Sequence, residues 1–334
     1  MNTIPTIFNE IFPAYTVIGG RERLGSTGIS AVLLNRSGRY ARRSLFYDLE
    51  KTGFDNVISV ESAPDHYDVE ELAERFPFAR FILPREGISL GEQINLAASE
   101  LDSHLFFVMW NDLKIIAGGT ARRMAERLGV EEESCVCKRL CTVPLILNSR
   151  YETLPTLIAP GVFRRKVRTL FFPPNREGLP SLYPFDGVGI YDRERFIRLG
   201  GFDTTLGNTY WQLMDFGFRA HLWGEDIVST QTLKLSYDGT IPPEDTSAGE
   251  SYRRFYLKNL APVFRGDYAH LPLRRFPGYL LKSGEGPASA WEDFSEGRRW
   301  VSTNRFRWRC DIRALAGRWD DAPAAETGTG SAGD

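Results

Sequence analysis

The chain has little cysteine, histidine or lysine. It holds 4 Cys and 4 His in 334 residues, and only seven of its 41 basic residues are lysines. Four cysteines in a chain this long exclude a disulfide framework. Three of them, Cys135, Cys137 and Cys141, fall in the run CVCKRLC. The Cys-x-Cys spacing, with no histidine close behind, is not that of a zinc site, and reduced, partly buried thiols are expected. Net charge is −2, so no bulk charge draws the chain to nucleic acid. No apolar run approaches the ~20 residues that span a bilayer. The N-terminal MNTIPTIFNEIFPAYTVIGG has no basic region before its apolar residues and is interrupted by Pro5 and Pro13. It does not read as a signal peptide, and a cytoplasmic location is expected. The excess of arginine over lysine suits planar phosphate and carboxylate partners, although genome composition produces the same bias.

What is present is the composition of a soluble globular protein, 42% hydrophobic and 25% charged, and a rhythm that begins at Gly28. Ile29 to Leu34 and Asn56 to Val60 read as apolar strands, and Tyr40 to Lys51 as a helix stopped at Gly53. Asp68 to Arg75 predicts a second helix and Ala79 to Leu83 a third strand. Ser89 and Glu92 form a capping-box pattern. It opens a helix with Leu90, Ile94, Ala97, Ala98 and Leu101 on one face. Leu105 to Met109 is apolar throughout, as a strand covered on both faces is. Strand–helix alternation four times over predicts an α/β fold with a mostly parallel, Rossmann-like sheet. Beyond it, Thr120 to Leu128, Glu194 to Leu199 and Tyr210 to Trp223 read as helices. Cys141 to Asn148 and Asp226 to Tyr237 read as strands.

Ligands of open α/β sheets bind at the carboxyl ends of the strands. That edge gathers Asn35 and Arg36 after the first strand, Glu61 and Ser62 after the second, Arg85 after the third, and Asn111 and Asp112 after the fourth. A carboxylate after the second strand suits a base or ribose hydroxyl. One after the fourth suits a divalent cation carrying a diphosphate.

In this order the residues resemble the family-2 glycosyltransferases of the GT-A fold, over residues 28–240. Asn35-Arg36, Glu61, Asn95 and Asp112 stand at the family's donor-binding places, Asp112 closing a reduced Asp-x-Asp, Trp110-Asn111-Asp112. Gly200-Gly201-Phe202-Asp203, Asp215, Arg219 and Gly224 follow its acceptor-side motif. The resemblance implies a nucleotide-diphosphate sugar donor, a glycan or lipid-linked acceptor and one Mg2+ or Mn2+ ion. It places donor contacts at Asn35, Arg36, Glu61, Ser62, Arg85, Asn95, Asn111 and Asp112. Acceptor contacts are implied at Gly201, Asp203, Trp211 and Arg219, and metal ligands at Asp112 and Asp238.

The chain departs from that pattern where the chemistry is done. The Glu-Asp pair that supplies the family's base reads Gln212-Leu213, so Asp215, or Asp186 in the loop PFDGVG, is the expected catalytic carboxylate. Asp215 and Arg219 read equally well as an i, i+4 ion pair, and Trp211 equally well as a core residue. Asp238 stands where a metal-binding histidine is usual. The function expected is sugar transfer. The alternative is a catalytically inactive relative that binds a nucleotide sugar or serves as a scaffold subunit in polysaccharide assembly. A basic patch (Arg164, Arg165, Lys166, Arg168, Arg176) reads as a solvated loop or as a surface for an anionic acceptor. The Arg298 to Arg309 segment reads as a peripheral contact with the inner face of a membrane, or as a segment packed back by Trp300, Phe306 and Trp308. The organisation expected is a leader at 1–27, the main domain at 28–240, an extension packing on it at 241–319 and a disordered tail at 320–334.

Overall fold

The structure, a computed structural model, describes residues 13–36, 42–61, 68–117, 119–134, 139–163, 166–237, 239, 244–317 and 319. The strand–helix rhythm is realised as β2 (Ile29–Leu34), α1 (Arg42–Thr52), β3 (Val57–Val60), α2 (Val69–Arg75), β4 (Ala79–Pro84), α3 (Leu90–Glu100) and β5 (Leu105–Trp110). β2 and β3 are buried along their whole length, as continuous apolar runs require. The capping box closes as its spacing predicts: the Ser89 hydroxyl accepts from the Glu92 N–H, and the Glu92 carboxylate accepts from the Ser89 N–H.

The expected leader does more than lead. Its β1 (Tyr15–Gly19) pairs antiparallel with β4 and forms one edge of the sheet. Further along come β6 (Leu113–Ala117), α4 (Ala121–Ser134), β7 (Arg139–Leu147), β8 (Leu157–Phe163) and β9 (Lys166–Phe172). Then follow β10 (Gly189–Asp192), α5 (Arg193–Leu199), α6 (Thr209–Leu222) and β11 (Asp226–Tyr237). The central sheet has nine strands in the order β1-β4-β3-β2-β5-β10-β7-β11-β6. Six of them, β4, β3, β2, β5, β7 and β11, run in one direction. β8 and β9 form a separate hairpin. The sequence reading missed β6, β10 and this hairpin. β6 is largely exposed, β10 has four residues, and β8 carries Pro160, which only a strand with a free edge tolerates.

β2 has β3 on one side and β5 on the other. The chain winds outward in both directions from that pair, so the ends of β2 and β5 flank the topological switch point where such sheets bind ligands.

The expected boundary near 240 falls among residues outside the described set. Beyond it come α7 (Glu250–Phe255), a π-helical turn (Tyr256–Leu260), the β12 (Val263–Arg265) and β13 (Tyr268–His270) ribbon, α8 (Phe276–Ser283), α9 (Pro287–Asn304) and α10 (Ile312–Gly317). Trp300 stacks on Trp223 with centroids 6.0 Å apart, and Trp308 packs edge-on to both. Phe306, expected as a third anchor, is instead 60% exposed, with the Arg305 guanidinium over its ring. The expected disordered tail lies outside the described residues, and so do Cys135 and Cys137. Cys141 is buried as a free thiol, and burial pushes its pKa well up.

Candidate functional site

The switch point is built by two strand ends. After β2, the Asn35 amide donates to the Val60 carbonyl (2.8 Å) and the Ser59 hydroxyl (3.1 Å), which ties β2 to β3. After β5, the Asn111 N–H donates to the Leu34 carbonyl at 2.8 Å, and the Asn111 side chain accepts from the Arg36 N–H at 3.3 Å. These bonds bring Arg36 and Asp112 face to face. The Arg36 guanidinium donates through Nε to Asp112 Oδ2 (3.0 Å) and through Nη2 to Asp112 Oδ1 (3.3 Å). Its Nη1 donates to Asp186 Oδ2.

Asp186 arrives from the 3₁₀ turn Phe185–Gly187 with φ at 54°. This left-handed conformation is uncommon outside glycine and is enriched at functional sites. Trp110, the residue in place of the first Asp of an Asp-x-Asp, donates from its indole Nε1 to the Asp186 carbonyl at 3.0 Å. Its ring also lies under Arg36, 4.4 Å from the guanidinium carbon. Tyr237, at the end of β11, faces the same guanidinium at 5.5 Å.

Burial raises the Asp186 pKa. Arg36 opposes that rise, nearby Asp112 adds to it, and the carboxyl is pushed up to about 6. Burial works against the charge of Arg36, but the two carboxylates outweigh it and hold the guanidinium pKa above its ordinary value. Close by, Tyr183 Oη donates to Glu244 Oε1 at 3.0 Å. Burial raises the Glu244 pKa, the Tyr183 bond opposes the rise, and Asp186 adds to it. The sequence reading missed Tyr183, Tyr237 and Glu244. No motif marks them, since they come from a loop, a strand end and a segment beyond β11.

Other expected site residues are engaged elsewhere. Glu61 is buried, accepting from Arg42 Nη2 (2.6 Å) and Ser59 Oγ (2.7 Å). Burial raises its pKa and Arg42 opposes the rise. Arg85 is exposed, and its backbone N–H bonds to the Ala14 carbonyl. Asn95 uses both ends of its amide on the Phe202 backbone, at 2.8 and 2.9 Å. It locks α3 to the Gly200–Asp203 loop instead of facing a donor. Gly201 has φ at 64°, and a Cβ there would meet Asn95 Oδ1 at 2.4 Å.

The acceptor-side motif folds into a buried polar network, of which Asp203 and Lys258 also line a cavity beside α9. Arg219, fully buried, donates to Asp215 Oδ2 (2.9 Å), the Leu199 carbonyl (2.8 Å) and the Gly201 carbonyl (2.8 Å). Asp215, also fully buried, accepts on Oδ1 from Asn259 and Lys258, each at 2.8 Å. Lys258 bridges on to Asp203. Burial works to raise the Asp203 pKa, but Lys258 and its hydrogen bond hold the carboxylate well below its usual range. Of the two expectations for Asp215, a catalytic carboxylate or an ion pair with Arg219, the structure shows the ion pair, fully buried. Gln212 is likewise spent on Gly91, Ser89 and Leu206. Trp211 is a core residue after all: it is buried, its Nε1 donates to the Ser247 carbonyl, and its ring packs on Tyr252 and Phe255. Ser62 and Asp238 lie outside the described residues, as do Arg164 and Arg165. Arg168 and Arg176 are exposed.

Among the described residues, then, Arg36, Asn111, Asp112 and Asp186 converge at the switch point. They are joined by Trp110, Tyr237 and, on the side of the Asp186 loop, Glu244. The architecture matches GalNAc-T7, solved with UDP, GalNAc and Mn2+, at a TM-score of 0.50 and 12% identity. The fold is GT-A. The match covers 83% of this chain and 57% of that one, so the chain spans little more than half the length of GalNAc-T7. TarS 1-349 of S. aureus aligns at a TM-score of 0.43 and 12% identity, covering 82% of this chain and 72% of that one. Mannosyltransferase PcManGT of Pyrobaculum calidifontis, in complex with GDP-Man and Mn2+, aligns at 0.41 and 10%, covering 89% and 74%. No protein-family model matches the sequence, and no curated protein matches it. In the GT-A frame, the Arg36–Asp112–Asp186 cluster sits at the carboxyl ends of β2 and β5, the edge where such a sheet receives a ligand.

Proposed function

We propose that the chain is a glycosyltransferase that binds a nucleotide-diphosphate sugar at the ends of β2 and β5 and transfers the sugar to a glycan or lipid-linked acceptor. The observation that carries this reading is the convergence of Asp112, Arg36 and Asp186 on one point at the switch point of a GT-A sheet. Family-2 membership belongs to the same proposal, supported by the order of Asn35-Arg36, Glu61, Asp112 and Gly200 to Asp203 along the chain.

A divalent cation, Mg2+ or Mn2+, fits this donor set. Asp112 offers a carboxylate already turned toward a positive charge, and oxygen ligands suit such ions, which one or two carboxylates hold together with substrate phosphates and water. Asp238, the second ligand that the resemblance implies, lies outside the described residues, and diphosphate and water would complete the set. When bound, the ion neutralises charge on the departing diphosphate. Arg36, with further N–H groups in the same plane, is placed to take phosphate oxygens. Asp186, with its pKa pushed up to about 6, is the carboxylate suited to receive the acceptor hydroxyl proton near neutral pH.

The test is transfer or hydrolysis of nucleotide sugars with Mg2+ and with Mn2+, beside binding of nucleoside diphosphates by calorimetry. Asp112→Ala is expected to abolish turnover. Absence of both turnover and nucleoside-diphosphate binding would falsify the reading. One observation favours a second reading: Arg36 closes over both carboxylates, as suits a non-catalytic relative serving as a binding or scaffold subunit. Nucleotide-sugar binding without turnover under any metal would select it.

A further inference from the structure

α9 carries acidic residues on its N-terminal half and the pair Arg298 and Arg299 on its C-terminal half. Two of the acids turn toward α7, where Glu296 pairs with Arg254 and Asp293 with Arg253. Arg305 follows at the C-terminal end of the helix. These three arginines line a groove of about 540 Å³ between α9 and the segment 268–273. No carboxylate lines that groove. Arg298 is fixed there by a hydrogen bond from Nε to the Leu271 carbonyl at 3.2 Å. His270 also lines the groove, with its Nδ1 buried and without a hydrogen-bond partner.

The rim is apolar and exposed. Tyr268, Leu273 and Trp291 line the same groove and are 44%, 48% and 49% exposed. The Arg305 guanidinium lies 4.5 Å over the ring of exposed Phe306. A soluble surface seldom gathers large apolar side chains around a single-signed groove. Arginines flanked by half-exposed aromatics do suit the headgroup boundary of a bilayer. There the guanidinium meets phosphate in its planar geometry, and the amphipathic rings rest at the acyl edge.

We propose that this face of the C-terminal extension docks the protein on a membrane surface rich in anionic phospholipid. A headgroup phosphate enters the groove of Arg298, Arg299 and Arg305, and Trp291, Leu273 and Phe306 settle at the interface. The groove carries the proposal by itself, independently of the nucleotide-sugar reading.

The test is flotation of the full chain with vesicles of phosphatidylcholine alone and of phosphatidylcholine mixed with phosphatidylglycerol, at low and high salt. The expected result is association with the anionic vesicles only, weakened by salt. Each of Arg298→Gln, Arg299→Gln and Arg305→Gln should lower it about fivefold. The triple variant should fall to the level of neutral vesicles, and Arg122→Gln, at an exposed position of α4, should change nothing. Equal association with neutral vesicles overturns the proposal, as does undiminished association of a triple variant that melts like the wild type. If no vesicle floats the chain but glycerol phosphate binds and the triple variant loses that binding, the groove serves a soluble phosphate and the membrane proposal fails. Should the triple variant not fold, tryptophan fluorescence of the native chain decides. A blue shift on anionic vesicles that Trp291→Phe removes supports docking, and no shift overturns it.

Discussion

Trp110 carries Arg36. The guanidinium carbon lies 4.4 Å from the indole centroid, and the same indole donates its N–H to the Asp186 carbonyl. One side chain thus seats the cation and pins the loop that brings the second carboxylate. At this strand end the ring serves as a platform for the guanidinium. Trp110→Ala should cost about 3–5 kcal/mol by emptying a buried aromatic site. Trp110→Phe keeps a ring under Arg36 and loses only the indole hydrogen bond, about 1 kcal/mol. Denaturant unfolding of the two variants checks the difference.

Asp186 should give the protein an acid-side signature. An unperturbed aspartate titrates near ~3.9, whereas this one is pushed up to about 6, first by burial. Between those values the folded state holds a proton that the unfolded chain has released. Stability therefore falls as pH rises through that window, by about 3 kcal/mol at most. Asp186→Asn should flatten that slope, as unfolding measured from pH 4 to 7 will show. In a transfer assay, kcat/KM should fall as pH drops below about 6, where the base is protonated. The Asn variant should lack that limb and most of the activity.

The fold was largely written in local patterns. Continuous apolar runs marked β2, β3 and β5, the capping box marked α3, and Gly53 and Gly224 marked helix ends, because each signal is decided within a few residues. β6 and β10 were invisible because their pairing partners are distant and their patterns are short or partly exposed, and the β8–β9 hairpin because Pro160 interrupts the strand pattern of β8. The site was legible in half. Arg36, Asn111 and Asp112 could be placed because strand ends define the switch point. Nothing in the sequence shows that Asn95 would spend its amide on Phe202, or that Lys258, more than forty positions from Asp215, would reach it. Such side-chain partners are fixed by tertiary packing, which is why the sequence left Asp215 open between catalysis and an Arg219 ion pair, and Trp211 open between a sugar platform and the core.

The buried network can be told from a catalytic one. Lys258 holds Asp203 and Asp215 together, and Asp203 is kept strongly acidic by that contact although burial opposes it. A carboxylate with a lowered pKa contributes stability above ~pH 4 and loses it as pH falls further. Lys258→Met should cost about 3–5 kcal/mol at neutral pH, since two buried carboxylates would share one guanidinium. Asp215→Asn should also destabilise, yet leave kcat per folded molecule near wild type. A large loss of kcat in a fully folded Asp215→Asn protein would restore the carboxylate to the chemistry.

Gly217 lies inside α6, where alanine would ordinarily add about 1 kcal/mol of helix stability. A Cβ there would stand 2.2 Å from the Leu182 carbonyl oxygen and 3.1 Å from the Tyr183 Cβ. Both neighbours belong to the segment that leads into the Asp186 turn. Gly217→Ala should therefore destabilise by about 1–3 kcal/mol through overpacking, reversing the sign that propensity gives. It should also disturb the Asp186 loop, so the acid limb of the pH profile should shift together with the melting temperature.

Arg36 and the divalent cation proposed for this site would compete for Asp112. In the structure Asp112 gives both oxygens to the guanidinium, and Asp186 gives one. A cation bound through Asp112 has to share or displace that pairing, and an incoming diphosphate offers Arg36 new oxygens in return. Two opposite changes follow from removing the guanidinium. Without nucleotide, Arg36→Met should raise Mn2+ affinity, because two partly buried carboxylates lose their only close cation among the described residues. With nucleotide, the same variant should bind nucleoside diphosphate roughly tenfold or more weakly, having lost a charge-assisted contact of about 1.5–3 kcal/mol. Asp112→Asn should lower both affinities. Calorimetric titration of Mn2+ with and without a nucleoside diphosphate separates these outcomes. If Arg36→Met leaves Mn2+ affinity unchanged, the cation sits away from the Arg36–Asp112 pair, and the site must be sought on the far side of Asp112.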